Sequence, residues 1–233
     1  ETKKNLKKLG NVLFLNSTEI TYDSISSHPD IFFFQKDDAL IYAPNAPKRI
    51  IKELKKRKIK LIEGKKEVGK KYPETVPYNA VGIGNLLIHN LKHTDETILS
   101  SYENHINVNQ GYTRCNLLAL NENAFITSDV GIFNAVNSQQ TTDNSLYPHE
   151  SLVETYVRTS VLYIDPKQIK LEGQKNGFFP GCCGVWKNNL IVCGSTKNLK
   201  EKAELDKFLK DNNFNLIELY DGDLVDVGSV FFN

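Results

Sequence analysis

One short pattern recurs along the chain and constrains it more than anything else: a β-rich run, an acidic or amide residue, then a small turn residue. It closes Lys60-Leu61-Ile62-Glu63-Gly64, Asn107-Val108-Asn109-Gln110-Gly111, Lys170-Leu171-Glu172-Gly173 and Glu218-Leu219-Tyr220-Asp221-Gly222, with a weaker copy at Leu13-Phe14-Leu15-Asn16-Ser17. The turn positions 17, 64, 111, 173 and 222 are spaced by 47, 47, 62 and 49 residues. Self-similarity at a fixed period is the sequence signature of a repeat architecture. The one long interval holds 137–151, a stretch rich in Ser, Thr, Gln and Asn with the composition of a surface insertion.

Between tails each unit reads as two short strands, a helix and the tail strand. Residues 31–34 and 39–43 flank a Lys36-Asp37-Asp38 turn. Asn45-Ala46-Pro47 then signals a helix over 47–57 with Ile50, Ile51 and Leu54 on one face. The second unit pairs 80–83 with 86–89 around Gly84-Asn85, and Thr94-Asp95 caps a helix running to Glu103. The third pairs 115–120 with 124–127, capped by Ser128-Asp129. The fourth pairs 184–186 with 190–193, capped by Ser195-Thr196 ahead of a helix to Lys210. The chain ends, a short helix and strand at 2–15 and two strand-like runs at 224–227 and 230–232, each supply part of a unit. Joined, they complete a fifth. The expectation is a single α/β domain over 1–233: a five-fold pseudosymmetric propeller of ββαβ units, its ring closed by the N- and C-terminal segments.

Composition narrows the partners. A formal charge of +1 excludes a globally basic protein that binds phosphate by charge alone. No apolar run approaches the roughly 20 residues that span a bilayer, so the expectation is a cytoplasmic protein with no membrane partner. Four cysteines in 233 residues are not a disulfide scaffold, and neighbouring Cys182 and Cys183 lack Cys-x-x-Cys spacing. Neither a metal nor another cofactor is expected.

Five ββαβ units in a ring of this size resemble the pentein fold, the α/β propeller of the guanidino-group modifying enzymes, which include arginine deiminase, dimethylarginine hydrolase and agmatine deiminase. Translation initiation factor six is a compact non-enzymatic relative. The stretches Asn79-Ala80-Val81-Gly82, Gly111-Tyr112-Thr113-Arg114-Cys115-Asn116, Gly177-Phe178-Phe179-Pro180-Gly181 and Asp221-Gly222-Asp223-Leu224-Val225-Asp226-Val227-Gly228-Ser229 look like an uncharacterised bacterial family of that fold. The resemblance implies a thiolate attacking a guanidinium carbon, a His as acid and base, and carboxylates orienting the cation. In the enzymes the Cys lies in the last unit. Here that segment carries Ser229 and no Cys. His93-Thr94-Asp95 matches the enzymes' His-x-Asp pattern in letters but falls at a helix start, and reads as a cap.

In such a ring, residues at equivalent strand ends converge on the axis. That criterion selects Cys182, Cys183 and His89 as catalytic candidates, with His149 as a second base, and Asn79, Arg114, Asn116, Asp129, Asp223 and Asp226 as ligand-binding ones, with Asp37, Asp38 and Ser128 behind them. Each has a plainer structural reading: a buried Cys is a small apolar filler, Ser128-Asp129 is a cap, Asp221-Gly222-Asp223 is a turn, and Arg114 pairs internally with Asp226 or Asp129. Two functions remain open. One is binding or hydrolysis of a guanidino or amino-acid-like small molecule at the axis, by a hydrolase or transferase with a non-standard nucleophile. The other is a non-catalytic ring that meets ribosome or RNA through the basic helix 47–60, because residues 1–75 carry 17 Lys and Arg against 10 Asp and Glu while 76–233 carry 12 against 18.

Overall fold

A computed structural model describes residues 1–17, 19–138 and 159–232. Twelve strands form four three-stranded sheets: β1 (Phe33–Lys36), β2 (Ala39–Tyr42) and β3 (Lys60–Glu63); β4 (Val81–Ile83), β5 (Leu86–His89) and β6 (Asn104–Asn107); β7 (Leu117–Asn121), β8 (Ala124–Thr127) and β9 (Ser160–Tyr163); β10 (Cys183–Trp186), β11 (Asn189–Val192) and β12 (Asn215–Glu218). In every sheet the first two strands pair antiparallel and the third pairs parallel to the second. The hairpins close with two-residue loops whose first residue has positive φ in three cases: Asp37 at 51°, Gly84 at 53° and Lys187 at 52°. That twist matches the flanking strands. A parallel third strand needs a crossover, and helical segments supply it.

The helices are α1 (Thr2–Leu9), α2 (Pro29–Phe32), α3 (Lys48–Lys56), α4 (Glu96–Leu99), α5 (Thr113–Asn116), α6 (Val130–Ser138) and α7 (Lys202–Asp211). In α3, Ile50 is buried with Ile51 and Leu54 beside it, as the apolar spacing requires, while Lys48, Lys52, Lys55 and Lys56 stay in water. Four apolar clusters link neighbouring sheets in order. Phe34 and Leu87 share the first cluster, Ile88 and Phe125 the next, and Ile126 and Leu190 the third. The last joins both chain ends to the fourth sheet: Leu6, Val12, Val230 and Phe232 pack with Ile191, Cys193 and Leu219.

Several sequence expectations need correction. The first strands of the first and third sheets begin after a single helical turn, α2 and α5, and a 3-10 turn at Phe179–Cys182 precedes β10. A Pro at the first or second turn position, with its fixed φ, favours these turns at Pro29 and Pro180. The third tail strand is Ser160–Tyr163, not the run ending at Gly173, and α4 stops at Leu99 rather than Glu103. Asp95 caps α4 by accepting from Thr97 N. Asn45 does not cap α3; it exchanges two hydrogen bonds with the backbone of Val68. Ser195 and Thr196 bind Glu218 instead of starting α7, which begins at Lys202. The insertion expected at 137–151 lies outside the described residues beyond 138, as does His149. Among the described residues no helix is long and apolar enough to cross a membrane.

Candidate functional site

The turns that enter the first strands, together with the C-terminal segment, carry a buried polar cluster. The α2 turn places Asp30 at 0% exposure. Its Oδ2 accepts from the Ser229 hydroxyl at 2.9 Å and the Cys115 thiol at 3.1 Å. Asn79, equally buried, accepts at Oδ1 from the backbone N–H of Arg114 (2.8 Å) and Cys115 (3.2 Å), and donates from Nδ2 to Asp30 O (3.2 Å) and Cys115 Sγ (3.4 Å). One side chain thus ties the α5 turn to the α2 turn. The Arg114 guanidinium reaches the carbonyls of Pro180 (3.3 Å) and Cys183 (3.5 Å) and lies over the Phe231 ring. Asp226 accepts from Phe178 N at 2.9 Å and Gly228 N at 3.0 Å. Ser229, at φ 74°, is pinned by its N–H to Gly181 O at 2.8 Å.

Burial governs the charges. It raises the Asp30 carboxyl to about 7, with Asp226 adding to the rise and the Cys115 and Ser229 hydrogen bonds and Arg114 opposing it. Asp226 is raised to about 6 by burial, against the backbone hydrogen bonds of Gly228 and Phe178 and the charge of Arg114. His28, beside them, is lowered to about 4 by burial. Burial also pushes the Cys115 thiol well up, with Asp30 and Asp226 in the same direction, and depresses Arg114. A cavity of about 1520 Å³ between the N-terminal segment and the C-terminal run reaches the cluster at His28, Asp226 and Ser229.

Of the residues selected from sequence, Asn79, Arg114 and Asp226 meet here, and Ser229 with them. Arg114 forms no ion pair with Asp226 or Asp129; both its side-chain hydrogen bonds go to carbonyls. Cys182 and Cys183 are fully buried, donate to Phe178 O and Phe179 O, and have thiols pushed well up by burial, so neither is a ready thiolate. His89 is not joined to them: its ring nitrogens meet Thr94 Oγ1 at 2.7 Å and Gly111 O at 2.8 Å. Asn116 donates to Tyr112 O while its Oδ1 has no partner. Asp129 caps α6 through Ile132 N, Ser128 accepts from Phe179 N, and Asp223 pairs with Lys170 at the surface. Asp37 and Asp38 are exposed hairpin residues beside Lys36 and Lys60. The exposed cations of α3 sit on the surface, where Lys56 pairs with Glu53. Sequence reasoning missed His28, Asp30 and Cys115. Asp30 and Arg114 each stand three residues before the first strand of their sheet, which is the positional signal that would have found Asp30.

This architecture is shared with solved structures of low sequence identity. An amidinotransferase of the saxitoxin biosynthetic pathway from Microseira wollei aligns over 97% of this chain and 78% of its own, with TM-score 0.52 and 13% identity. Dimethylarginine dimethylaminohydrolase, in an adduct with S-methyl-L-thiocitrulline, aligns over 97% and 80% with TM-score 0.51 and 12% identity. Inosamine-phosphate amidinotransferase from Streptomyces griseus aligns over 99% and 78% with TM-score 0.50 and 10% identity. The chain has the fold of the pentein superfamily. Within that class it belongs to DUF6873, a family of unknown function whose model matches residues 1–231. No curated protein sequence matches it.

Proposed function

We propose that the chain binds and hydrolyses a small guanidino or amino-acid-like molecule at the Asp30–Arg114–Asp226 centre, inside a five-unit ring whose fifth unit is assembled from both chain ends. The observation that carries the reading is an open set of buried charges. One guanidinium and two carboxyls lie together, Arg114 reaches only two long carbonyl contacts, and Asp30 Oδ1 has no partner. Arginine carries five donors, suited to a carboxylate. A zwitterion presents its carboxylate to Arg114 and its cation to the acids, closing the set. Ser229, donating to Asp30, stands in the segment where the guanidino-modifying enzymes carry their thiol, and is the hydroxyl in place to attack with Asp30 as its base. The ring is supported by the chain ends themselves: Val230 N donates to Cys183 O, and Val225 bridges Lys170 in parallel.

Thermal shift with L-arginine, citrulline and agmatine tests this. At a hundredfold excess over Kd a ligand stabilises by about 2.7 kcal/mol, a Tm rise of roughly 5–10 °C for a chain of this size. L-arginine is expected to act more strongly than agmatine, which lacks the carboxylate, and Arg114→Met to erase that difference. Release of ammonia or urea reports hydrolysis. No shift from any of the three at millimolar concentration defeats the reading.

A further inference from the structure

Two atoms at the polar centre are buried with nothing to bond. His28 is 5% exposed and its Nδ1 has no hydrogen-bond partner, and neither has Oδ1 of the fully buried Asp30. Leaving such an atom unsatisfied carries its full desolvation penalty. A third group shares the space: a ring nitrogen of His28, a carboxylate oxygen of Asp30 and Cys115 Sγ all lie within 4.8 Å of one another, and all three residues are buried.

We propose that His28, Asp30 and Cys115 form a three-ligand site for a soft divalent cation of the zinc class. The proposal rests on the reading of this centre as the functional site, and its test needs no organic ligand. The donor set is one nitrogen, one oxygen and one sulfur, which favours zinc or cobalt over magnesium or calcium. Three protein ligands leave a fourth position open, the arrangement of a site that also takes water or substrate. A tetrahedral shell with the usual bond lengths sets its donors about 3.3–3.8 Å apart, against 3.1 Å between Cys115 Sγ and Asp30 Oδ2 and no more than 4.8 Å between any two of the three ligand atoms.

The surroundings are those of a supported site. Asn79 donates to Cys115 Sγ, which favours a thiolate, and Ser229 donates to Asp30 Oδ2, which orients the carboxylate. Gly228 packs against His28 and bonds Asp226 through its N–H. Thiolate and carboxylate together cancel a divalent charge, so the buried shell is neutral once Cys115 gives up its proton to solvent on binding. The Arg114 guanidinium hydrogen-bonds the Pro180 and Cys183 carbonyls and neither Asp30 nor Cys115. The cavity reaching His28 and Ser229 gives the ion a way in. Sequence spacing hides the site, since Cys115 is far from His28 and Asp30 in the chain and the neighbouring pair Cys182 and Cys183 takes no part.

The full chain, freed of metal by chelator under reducing conditions and given zinc alone, is expected to retain close to one zinc per chain after desalting. Cobalt in its place should show a thiolate-to-cobalt charge-transfer band and the intense ligand-field bands of a tetrahedral site. Cys115→Ser removes the charge-transfer band, Cys182→Ser and Cys183→Ser leave it, and His28→Gln weakens zinc binding by at least about a hundredfold. Well under one zinc per chain in the wild type, a cobalt spectrum without charge transfer, or a band that survives Cys115→Ser overturns the proposal. If Cys115→Ser does not fold, the wild-type stoichiometry and the His28→Gln titration still decide it. Zinc bound with no response to L-arginine refutes the ligand reading and leaves this one standing.

Discussion

His89 shows how far a single residue could be read from sequence. Its place at the end of an apolar strand, ahead of Asp95 and the α4 cap, was legible. Its role was not, because the partners that occupy its ring, Thr94 and Gly111, are set by the tertiary path of the loop. Those partners make it a structural, neutral imidazole, lowered to about 4 by burial, with the Gly111 hydrogen bond opposing and His93 and Lys66 adding positive charge nearby. A histidine with a depressed folded pKa contributes stability that is complete above its unfolded value of 6.5 and is lost as pH falls toward 4, since the unfolded chain then binds the extra proton. The full loss is on the order of 3 kcal/mol. His89→Gln, which keeps a donor for Gly111 O, is therefore expected to lower Tm at pH 7.5 but to flatten the fall in Tm between pH 6.5 and 4.5. Parallel pH profiles that differ only by a constant offset would show that His89 does not titrate with unfolding. The thiols tell the same story from the other side. Cys182 and Cys183 attracted attention by being adjacent, whereas Cys115, alone in sequence, is the one that meets an acid and an imidazole.

At the scale of elements, the hairpins and the α3 stripe were readable because each is decided by neighbours a few residues away: a two-residue loop, an apolar period, a polar face. The turns that carry the site were not. Pro29–Phe32, Thr113–Asn116 and Phe179–Cys182 are single turns of four residues, too short to show a helical period, and their last apolar residues, Ile31, Phe32, Cys115 and Cys182, read as the start of the strands they precede. The third tail strand was misplaced for a related reason, since a polar residue before Gly marks a turn and not the end of a pairing. Gly64 follows β3 at once, Gly111 and Gly222 come four residues after β6 and β12, and Gly173 follows β9 by ten. One glycine is fixed by its element. Gly228 has φ +69°, and a Cβ on it would lie 2.2 Å from His28 Cβ. Gly228→Ala is expected to cost at least about 2 kcal/mol in urea denaturation. Gly10→Ala, at extended φ 168° with nothing within 4 Å of the added carbon, should stay within about 0.5 kcal/mol of wild type. Equal effects at the two positions would mean that the turn bearing Ser229 is not held against His28.

For the molecule as a whole, the succession of short paired elements was visible in the repeat, while the way its two ends meet could only be guessed from each end being incomplete. The physical reason is that apolar residues of both terminal segments are buried on the fourth sheet. Leu6 packs on Ile191, Cys193 and Leu219, and Phe232 stacks on Trp186 with ring centroids 6.2 Å apart. Gln35 Nε2 donates to Phe232 O at 2.7 Å, which ties the same end to the first sheet. The fourth sheet is thus held from both termini of the described chain, and the C-terminal run connects it back to β1. If the ends close the structure, Leu6→Ala should cost about 2–3 kcal/mol and Phe232→Ala a similar amount, each shifting one cooperative unfolding transition recorded by circular dichroism and by Trp186 fluorescence together. Trp186→Leu combined with Phe232→Ala should show a coupling of about 1 kcal/mol. Ends that merely rest on the surface would give a different result: Trp186 fluorescence would change in an early transition while the circular dichroism midpoint stayed at its wild-type value.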